Sequence, residues 1–241
     1  HASSPKSQPF IKVGKKVKVG DVLFIIEAMK TMNQVKSDRE GIVKALVKGE
    51  SIVVDSSCFP SQFGCTQDVP TYDYNPEKAK KLLAEAGYAD GFEIPFLAYR
   101  NRDYAEAMIN NLNAIGIKTK FEYLKYAAFR DKVQDGGSPF NFGTWGSYSI
   151  NDVSAITSHF QSGGKDDYSK DAEVIKQLNS GDSNVDPQVR KDAYKAALTR
   201  IADQVFMFPL WSYNTWYAFS KDVDFNPTPD EIPRFFTAKW N

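Results

Sequence analysis

The sequence predicts an α/β protein in which a mixed sheet with flanking helices follows a short all-β segment. From Thr71 onward, amphipathic helical patterns alternate with strand patterns, which is typical of an α/β layer structure. Residues 9–36 instead contain β-branched runs separated by turn residues, as in a small β structure. The two regions also differ in charge, because residues 1–36 hold seven lysines and two acidic residues in a chain of formal net charge 0.

The composition excludes several classes of protein. With 42% hydrophobic and 14% aromatic residues, the 241-residue chain can bury a core, so global disorder is not expected. The zero net charge gives no whole-chain reason to expect nucleic acid or an acidic membrane as a partner. The longest apolar run, Val22–Ile26, is strand-sized, so no membrane span is expected.

The two cysteines favour a disulfide. Cys58 and Cys65 are separated by six residues that include a proline and a glycine, so the chain can turn back on itself. A zinc site needs about four ligands, and His1 and His159 are not spaced to provide them. We therefore expect a structural Cys58–Cys65 disulfide, an oxidising compartment and no metal, with two free thiols as the alternative.

The helices and strands after Thr71 are bounded by recognisable signals. Asn75 is a capping residue, Pro76 occupies the first helical position, and Gly87 ends this helix. The remaining predicted elements are a strand at Phe92–Leu97, a helix from about Asp103 to Gly116, a strand at Ile117–Tyr123, a helix at Phe129–Gln134, a strand at Phe140–Trp145, helices at about Asp152–His159, Asp171–Asn179 and Pro187–Gln204, and an extended aromatic segment at Val205–Phe219.

The N-terminal segment carries the motif Glu27-Ala-Met-Lys30. The order Val-Gly-x-x-Val-x-Val-Gly-Asp, an apolar strand and then this motif resembles the biotinyl domain of a biotin carboxyl carrier protein. The resemblance implies that Lys30 lies at the tip of a hairpin and forms an amide with biotin, the only cofactor expected here. It also implies a cytoplasmic setting. The alternative is an exposed lysine on an ordinary turn.

The biotinyl resemblance is partial, because family members have a further strand before Ser4 and more strands after the hairpin. We interpret residues 1–36 as a truncated biotinyl-like segment. We expect this segment to join the rest of the chain between Val35 and Val43. Gly41–Ala45 has two interpretations. It could be the return strand of the hairpin, or part of a helix that Ser37 or Asp38 caps, and the helix is preferred.

The rest of the chain has a different resemblance. The sequence from Asn75 to Gly87 is similar to the Asp/Asn-Pro-x-x-Ala-x-x-Leu-Leu-x-x-Ala-Gly helix of bacterial extracellular solute-binding proteins, family 5. The similarity continues through Tyr99–Met108, Gly143–Asp152 and Tyr217–Trp240. It implies that residues 38–241 form the second lobe of a periplasmic binding protein. A terminal segment at about 219–241 is expected to cross back to the first lobe.

The segment from Trp145 to Asp152 is the candidate ligand site. A strand that breaks at Gly146 and leads into a helix places side chains and free amides at a cleft, here Trp145, Tyr148, Asn151 and Asp152. In peptide-binding relatives, an aspartate three residues after this tryptophan pairs with the peptide's amino terminus. Tyr148 occupies that position here, so Asp152 is the candidate substitute. The alternative is that Trp145 belongs to the core and Asp152 is a helix cap.

Two further residues could contribute to the cleft. Arg102, with the nearby Arg100, could pair with a ligand carboxylate, although such arginines are often solvated. Trp211 belongs to an aromatic run that could line a ligand cleft or pack against the sheet. The sequence has no pattern of a catalytic triad or a phosphate-binding loop, so an enzyme is not expected.

These observations favour the ligand-binding lobe of a peptide-type ABC transporter substrate-binding protein in the periplasm. Its expected partners are a small peptide or related solute and an ABC transporter permease. Because such proteins close two lobes around a ligand, we expect weak binding or none unless a partner chain supplies the first lobe. The alternatives are a carrier segment of a biotin-dependent carboxylase modified at Lys30, or an artificial or misassembled fusion without evolved function.

Overall fold

A computed structural model describes residues 42–47, 51–138, 140–146, 150–228 and 232–241. The chain divides into two units, His1–Val35 and Lys36–Asn241. The first unit, and with it the predicted biotinyl-like segment and Lys30, lies outside the described residues. The predicted helix caps Ser37 and Asp38 also lie outside them.

The second unit contains six α-helices and five short strands among its described residues. In chain order they are α1 (Pro76–Glu85), β1 (Phe92–Ala98), α2 (Arg102–Ala114), β2 (Ile117–Tyr123), α3 (Tyr126–Gln134), β3 (Asn141–Phe142), α4 (Ser154–Phe160), α5 (Ala172–Ser183), α6 (Pro187–Asp203), β4 (Val223–Asp224) and β5 (Lys239–Trp240). Val43–Val47 form a π-helix, so helix rather than return strand is confirmed for these residues. None of the helices in the described ranges has the length and apolar character needed to cross a bilayer.

Local signals explain where the helices begin. The Asn75 side chain accepts a hydrogen bond from the Lys78 amide at 2.9 Å, and Pro76 then opens α1. Asp171 and Asp186 cap α5 and α6 in the same way. The predicted alternation of helices and strands is confirmed, with α3 beginning three residues earlier than expected and β3 reduced to two residues.

The main sheet has three parallel strands in the order β2-β1-β3. All seven residues of β1 pair with β2, from Phe92 with Ile117 to Ala98 with Tyr123. On the other side, Leu97 and Ala98 pair with Asn141 and Phe142 of β3. Helix α2 connects β1 to β2, and the chain then crosses to the other side of β1. All three strands therefore end at the same edge of the sheet.

Two hydrophobic clusters support this arrangement. The first packs the sheet against α2 and the π-helix, and it contains Ile42, Val43, Phe96, Ala98, Tyr104, Ala105, Ala107, Phe142 and Trp211. The second packs α5 against α6 and the segment that contains the cysteines, and it contains Cys58, Val153, Val174, Leu178, Tyr194, Ala197, Leu198 and Ile201. The cluster with Tyr194 fixes the part of the fold that follows the candidate site.

Tyr194 is fully buried between two glycines. A Cβ atom on Gly64 would lie 2.4 Å from the Tyr194 ring, and one on Gly181 would lie 2.6 Å from it. Gly64 also has a φ of +78°, which disfavours other residues. The ring can therefore bring α6 close to both segments only because neither position carries a side chain.

Cys58 and Cys65 are joined in a disulfide. Gln67 reinforces the turn: its side-chain oxygen accepts a hydrogen bond from the Asp55 amide at 2.9 Å, and its Nε2 lies 3.3 Å from Cys65 Sγ. We call residues 58–65 the disulfide loop. Cys58 is buried in the second cluster, so the loop is part of the core rather than a surface appendage.

Reduction of this disulfide should destabilise the protein. Opening a loop of this length returns chain entropy to the unfolded state, so we expect a loss of about 2–3 kcal/mol in the free energy of unfolding. Urea unfolding followed by tryptophan fluorescence, with and without dithiothreitol, measures the change. A Cys58→Ala/Cys65→Ala variant is the control, because its midpoint should not respond to dithiothreitol. An unchanged midpoint for the reduced native sequence would contradict the expectation.

Candidate ligand-binding site

The ends of β1 and β3 meet at the carboxyl edge of the parallel sheet. Tyr99 follows β1 directly, and Thr144 follows β3 by two residues. The Tyr99 hydroxyl lies 3.2 Å from the Thr144 carbonyl oxygen and 3.1 Å from its side-chain oxygen. Ligands of open α/β sheets bind in the crevice outside the carboxyl ends of the strands. This edge, with the residues that follow it, is therefore the candidate site.

Aromatic side chains surround Tyr99. Its ring centroid lies 5.0 Å from that of Tyr126 and 4.8 Å from that of Phe129, both on α3. The Tyr213 hydroxyl donates to Asn101 Oδ1 at 3.2 Å, just before α2. Burial raises the pKa of Tyr213 to about 12, so it stays a neutral hydrogen-bonding group at physiological pH. The site has rigid aromatic walls with hydroxyl groups at their ends.

Trp145 continues the chain from this edge and is half-buried. Its ring stacks on His159 of α4, with centroids 4.3 Å apart and planes at 25°. Phe160 contacts the same indole edge-on at 4.9 Å. Trp145 is not a member of the hydrophobic core clusters among the described residues. Its indole ring is therefore supported by α4 without being part of these core clusters.

A carboxylate and an arginine lie beyond His159. His159 Nε2 is 3.1 Å from Asp166 Oδ2, without the alignment of a hydrogen bond. The Arg130 guanidinium holds Asp166 through two hydrogen bonds, of 2.5 and 3.0 Å. Because Arg130 already compensates Asp166, this carboxylate is not presented to a ligand.

Asp152 is also engaged inside the protein. Its Oδ1 accepts from the Ser154 amide at 3.0 Å, and its Oδ2 accepts from Arg190 Nη2 at 2.7 Å. Burial alone would raise the pKa of Asp152, but the hydrogen bonds from Ser154 and Arg190 outweigh it and lower the pKa. Both oxygens have partners, so the structure favours the capping alternative over recognition of a ligand amine.

The other predicted site residues are distributed over the lobe. Asn151 is exposed, and its carbonyl oxygen accepts from the Phe63 amide at 3.0 Å. Tyr148 lies outside the described residues. Arg102 is exposed on α2 and pairs with Glu106 at 2.7 Å. Trp211 is 8% exposed and packs against Tyr104 and Phe142, so the structure favours packing over a cleft wall for this residue.

Three residues at or near this edge are not among the site residues predicted from the sequence: Tyr99, Thr144 and His159. Tyr99 follows a strand directly, which is a usable signal for a site residue in a parallel sheet. His159 was considered only as a metal ligand. Its contact with Trp145 depends on how α4 returns toward β3, and no local pattern reports that return.

Comparison with known families now adds to this geometry. Residues 37–167, slightly more than half of the chain, match the family described as "Bacterial extracellular solute-binding proteins, family 5 Middle". The chain belongs to this family. Residues 2–59 match a second family, described as "Biotin-requiring enzyme". Both matches include residues 37–59, which overlap the range Val35–Val43 where the two segments are expected to join.

Two known proteins are similar to separate parts of this chain. Heme-binding protein A of Haemophilus influenzae is 31% identical over 107 residues, which cover 41% of this chain and 20% of that protein. The biotin carboxyl carrier protein of acetyl-CoA carboxylase from the same organism is 46% identical over 52 residues, which cover 22% of this chain and 34% of that protein. The chain thus spans about a third or less of the length of these two relatives.

A solved structure shares the fold. The dipeptide-binding protein of Pseudoalteromonas sp. SM9913, solved in complex with Met-Leu, superposes with a TM-score of 0.71 at 24% identity. The match covers 85% of this chain and 43% of that one. The α/β architecture predicted from the sequence is therefore that of a periplasmic binding protein.

The lowered pKa of Asp152 predicts a pH dependence of stability. Its folded-state pKa lies below the unfolded value of about 3.9, so the ionised carboxylate stabilises the fold above that pH. This contribution is lost as the pH falls through the folded-state pKa. We expect the free energy of unfolding of Asp152→Asn to fall less steeply than that of the native sequence below about pH 4.

Urea unfolding at several pH values between about 2 and 6 tests this expectation. Asp90→Asn is the matched control, because Asp90 is an exposed loop residue. Its profile should follow that of the native sequence. Parallel profiles for Asp152→Asn and the native sequence would show that the Asp152–Arg190 pair does not stabilise the fold.

Proposed function

We propose that this chain provides the ligand-binding lobe of a peptide-type ABC transporter substrate-binding protein, and that it binds solute without catalysing a reaction. The observation that carries the proposal is the aromatic site at the carboxyl edge of the sheet, where Tyr99 contacts Thr144 and the chain continues to Trp145, which stacks on His159. Membership of family 5 supports the class of protein. The ABC transporter permease is the partner that this function requires.

A short peptide matches the chemistry of this edge. Arg100 is exposed, and its guanidinium lies 5.6 Å from the centroid of the Tyr99 ring. Unlike Arg102, it has no carboxylate within salt-bridge distance in the described part of the chain. Arg100 is therefore the better partner for a peptide carboxylate, while the aromatic rings of Trp145 and Tyr99 suit an apolar side chain. Heme is the competing ligand, since one relative is named for binding it.

We propose that residues 38–241 supply one wall of a two-lobed cleft. Periplasmic binding proteins close two domains around a ligand, so a single wall makes only part of the contacts. We therefore expect a weak but measurable dissociation constant, on the order of 1 mM, for a dipeptide bound to this chain by itself. A submicromolar dissociation constant would contradict this interpretation.

The C-terminal segment supports a role for a first lobe as partner. Three of its aromatic side chains are largely exposed, namely Phe235 at 71%, Phe236 at 85% and Trp240 at 81%, and so is Trp216 just before it, at 81%. Behind them, Phe225 packs against Phe219 and Phe235, with ring centroids 5.6 Å away in each case. An exposed aromatic surface on a supported hairpin is suited to packing against another domain.

Binding of the dipeptide Ala-Phe should be visible at Trp145. The chain has four tryptophans, so the indole N–H signals in a nitrogen–proton NMR spectrum are few and can be assigned by single substitutions. We expect the Trp145 signal to shift with added Ala-Phe while that of Trp240 does not. Shifts caused by hemin but not by Ala-Phe would assign the site to the competing ligand.

Two neighbouring arginines give a matched test of the carboxylate contact. Arg100→Gln should weaken the Ala-Phe response by about tenfold, because it removes the charge opposite the peptide carboxylate. Arg102→Gln should leave the response unchanged, because Arg102 pairs with Glu106. An equal effect of both substitutions, or of neither, would mean that Arg100 does not recognise the carboxylate.

A second candidate function is that of a biotin carrier modified at Lys30. The match of residues 2–59 to the biotin family favours it. This function would imply a cytoplasmic setting and a carboxylase as partner. The Cys58–Cys65 disulfide favours an oxidising compartment, and with it the periplasm, for the solute-binding part. The two compartments make the two functions alternatives for one mature chain.

Incubation with a biotin ligase, ATP and biotin tests the carrier function. If residues 1–36 do not act as a carrier, cleavage after glutamate should release the peptide Ala28–Glu40 without a biotin mass increment. Lys30→Arg is the control for chemical modification elsewhere. Stoichiometric biotinylation that depends on Lys30 would instead establish the carrier function.

A further inference from the structure

The residues that precede α4 are hydrogen-bonded to the disulfide loop. Gln62 Nε2 donates to the Ile150 carbonyl oxygen at 3.1 Å. The Phe63 amide donates to the Asn151 carbonyl oxygen, and the Val153 amide donates to the Phe63 carbonyl oxygen, both at 3.0 Å. These bonds pair Phe63 with Asp152 in a parallel β-bridge. We call residues 62–63 and 150–153 the junction.

Arg190 of α6 holds both sides of this junction. Its Nη2 donates to Asp152 Oδ2 at 2.7 Å, and its guanidinium carbon lies 4.8 Å from the centroid of the Phe63 ring. The pair is partly buried, with 24% of the Arg190 side chain and 17% of the Asp152 side chain exposed. An ion pair at this depth is less screened by solvent than a surface pair.

The guanidinium is itself held in place. Arg190 Nε donates to the Gly181 carbonyl oxygen at 3.0 Å, and Nη2 donates to the Tyr194 hydroxyl at 2.9 Å. Tyr194 in turn donates to Asp182 Oδ1 at 2.7 Å. Because Tyr194 is packed between Gly64 and Gly181, the position of Arg190 follows from the packing of α5 against α6.

We propose that Arg190 is a positioning residue for the ligand site. By clamping Asp152 and Phe63, it fixes the start of α4, and α4 carries His159 and Phe160, whose rings support Trp145 at the sheet edge. It does this without touching the ligand. The inference rests on the proposed function, because it assigns a role in binding at the same edge.

A second ion pair on the same helix provides the matched control. Arg200 lies ten residues further along α6, and its Nε and Nη2 donate to Asp171 at 2.7 Å each. Asp171 caps α5, where its Oδ1 accepts from the Val174 amide at 3.0 Å. Arg200 is thus a comparable structural pair that is not part of the junction, so Arg190→Gln and Arg200→Gln separate positioning from general stability.

Amide hydrogen exchange measured by NMR reads the junction directly. In Arg190→Gln, we expect the amides of Phe63, Val153 and Ser154 to exchange at least about tenfold faster, since their acceptors are no longer fixed. In Arg200→Gln, the Val174 amide should respond instead. Asp152→Asn removes the same ion pair but leaves the bonds of Arg190 to Gly181 and Tyr194, so it replaces Arg190→Gln if that variant does not fold.

The Ala-Phe titration supplies the second readout. The response of the Trp145 indole should weaken by about tenfold in Arg190→Gln and change by less than about twofold in Arg200→Gln. Equal effects of the two variants on exchange at the junction or on the Trp145 response would overturn the inference. If the native sequence gives no Ala-Phe response, the proposed function fails, and exchange at the junction alone decides the positioning role.

Discussion

The candidate site depends on the parallel pairing of β1 with β3. Only Leu97–Ala98 and Asn141–Phe142 are paired, yet this register brings the two following segments side by side. The Tyr99 hydroxyl can then reach Thr144, and the chain can continue to Trp145 at the same edge. A slip of one residue would turn Phe142 out of the first hydrophobic cluster, so the burial of that side chain specifies the register of the pair.

The order of helices and strands could be predicted because its signals are local. Asn75, Pro76 and the capping aspartates define helix starts within a few residues, and periodicity defines the apolar faces. The length of β3 could not be predicted, because its pairing with β1 depends on a partner more than forty residues away. The disulfide could be predicted from the sequence because the loop between the cysteines is short and contains turn residues.

The sequence predicted the segment that holds the candidate site but not the partners of its side chains. Trp145 contacts His159 and Phe160 because α4 returns toward β3. Asp152 contacts Arg190, which lies 38 residues later in the chain. The carboxylate that looked available for a ligand amine is instead part of an ion pair. Trp211 belongs to an aromatic run that is typical of a cleft, yet it contacts Tyr104 and lies in the first hydrophobic cluster. Long-range partners decide each case, and no local pattern encodes them.

We infer that a short peptide binds at the carboxyl edge, against Tyr99 and Trp145. We also infer that the junction positions this site. Intermolecular nuclear Overhauser effects between Ala-Phe and the protein test the first inference most directly, because they report which rings lie within a few ångströms of the ligand. We expect contacts from the phenyl group of Ala-Phe to the rings of Tyr99 and Trp145. Contacts confined to Trp216, Phe236 and Trp240 would place binding on the exposed C-terminal surface and contradict the account.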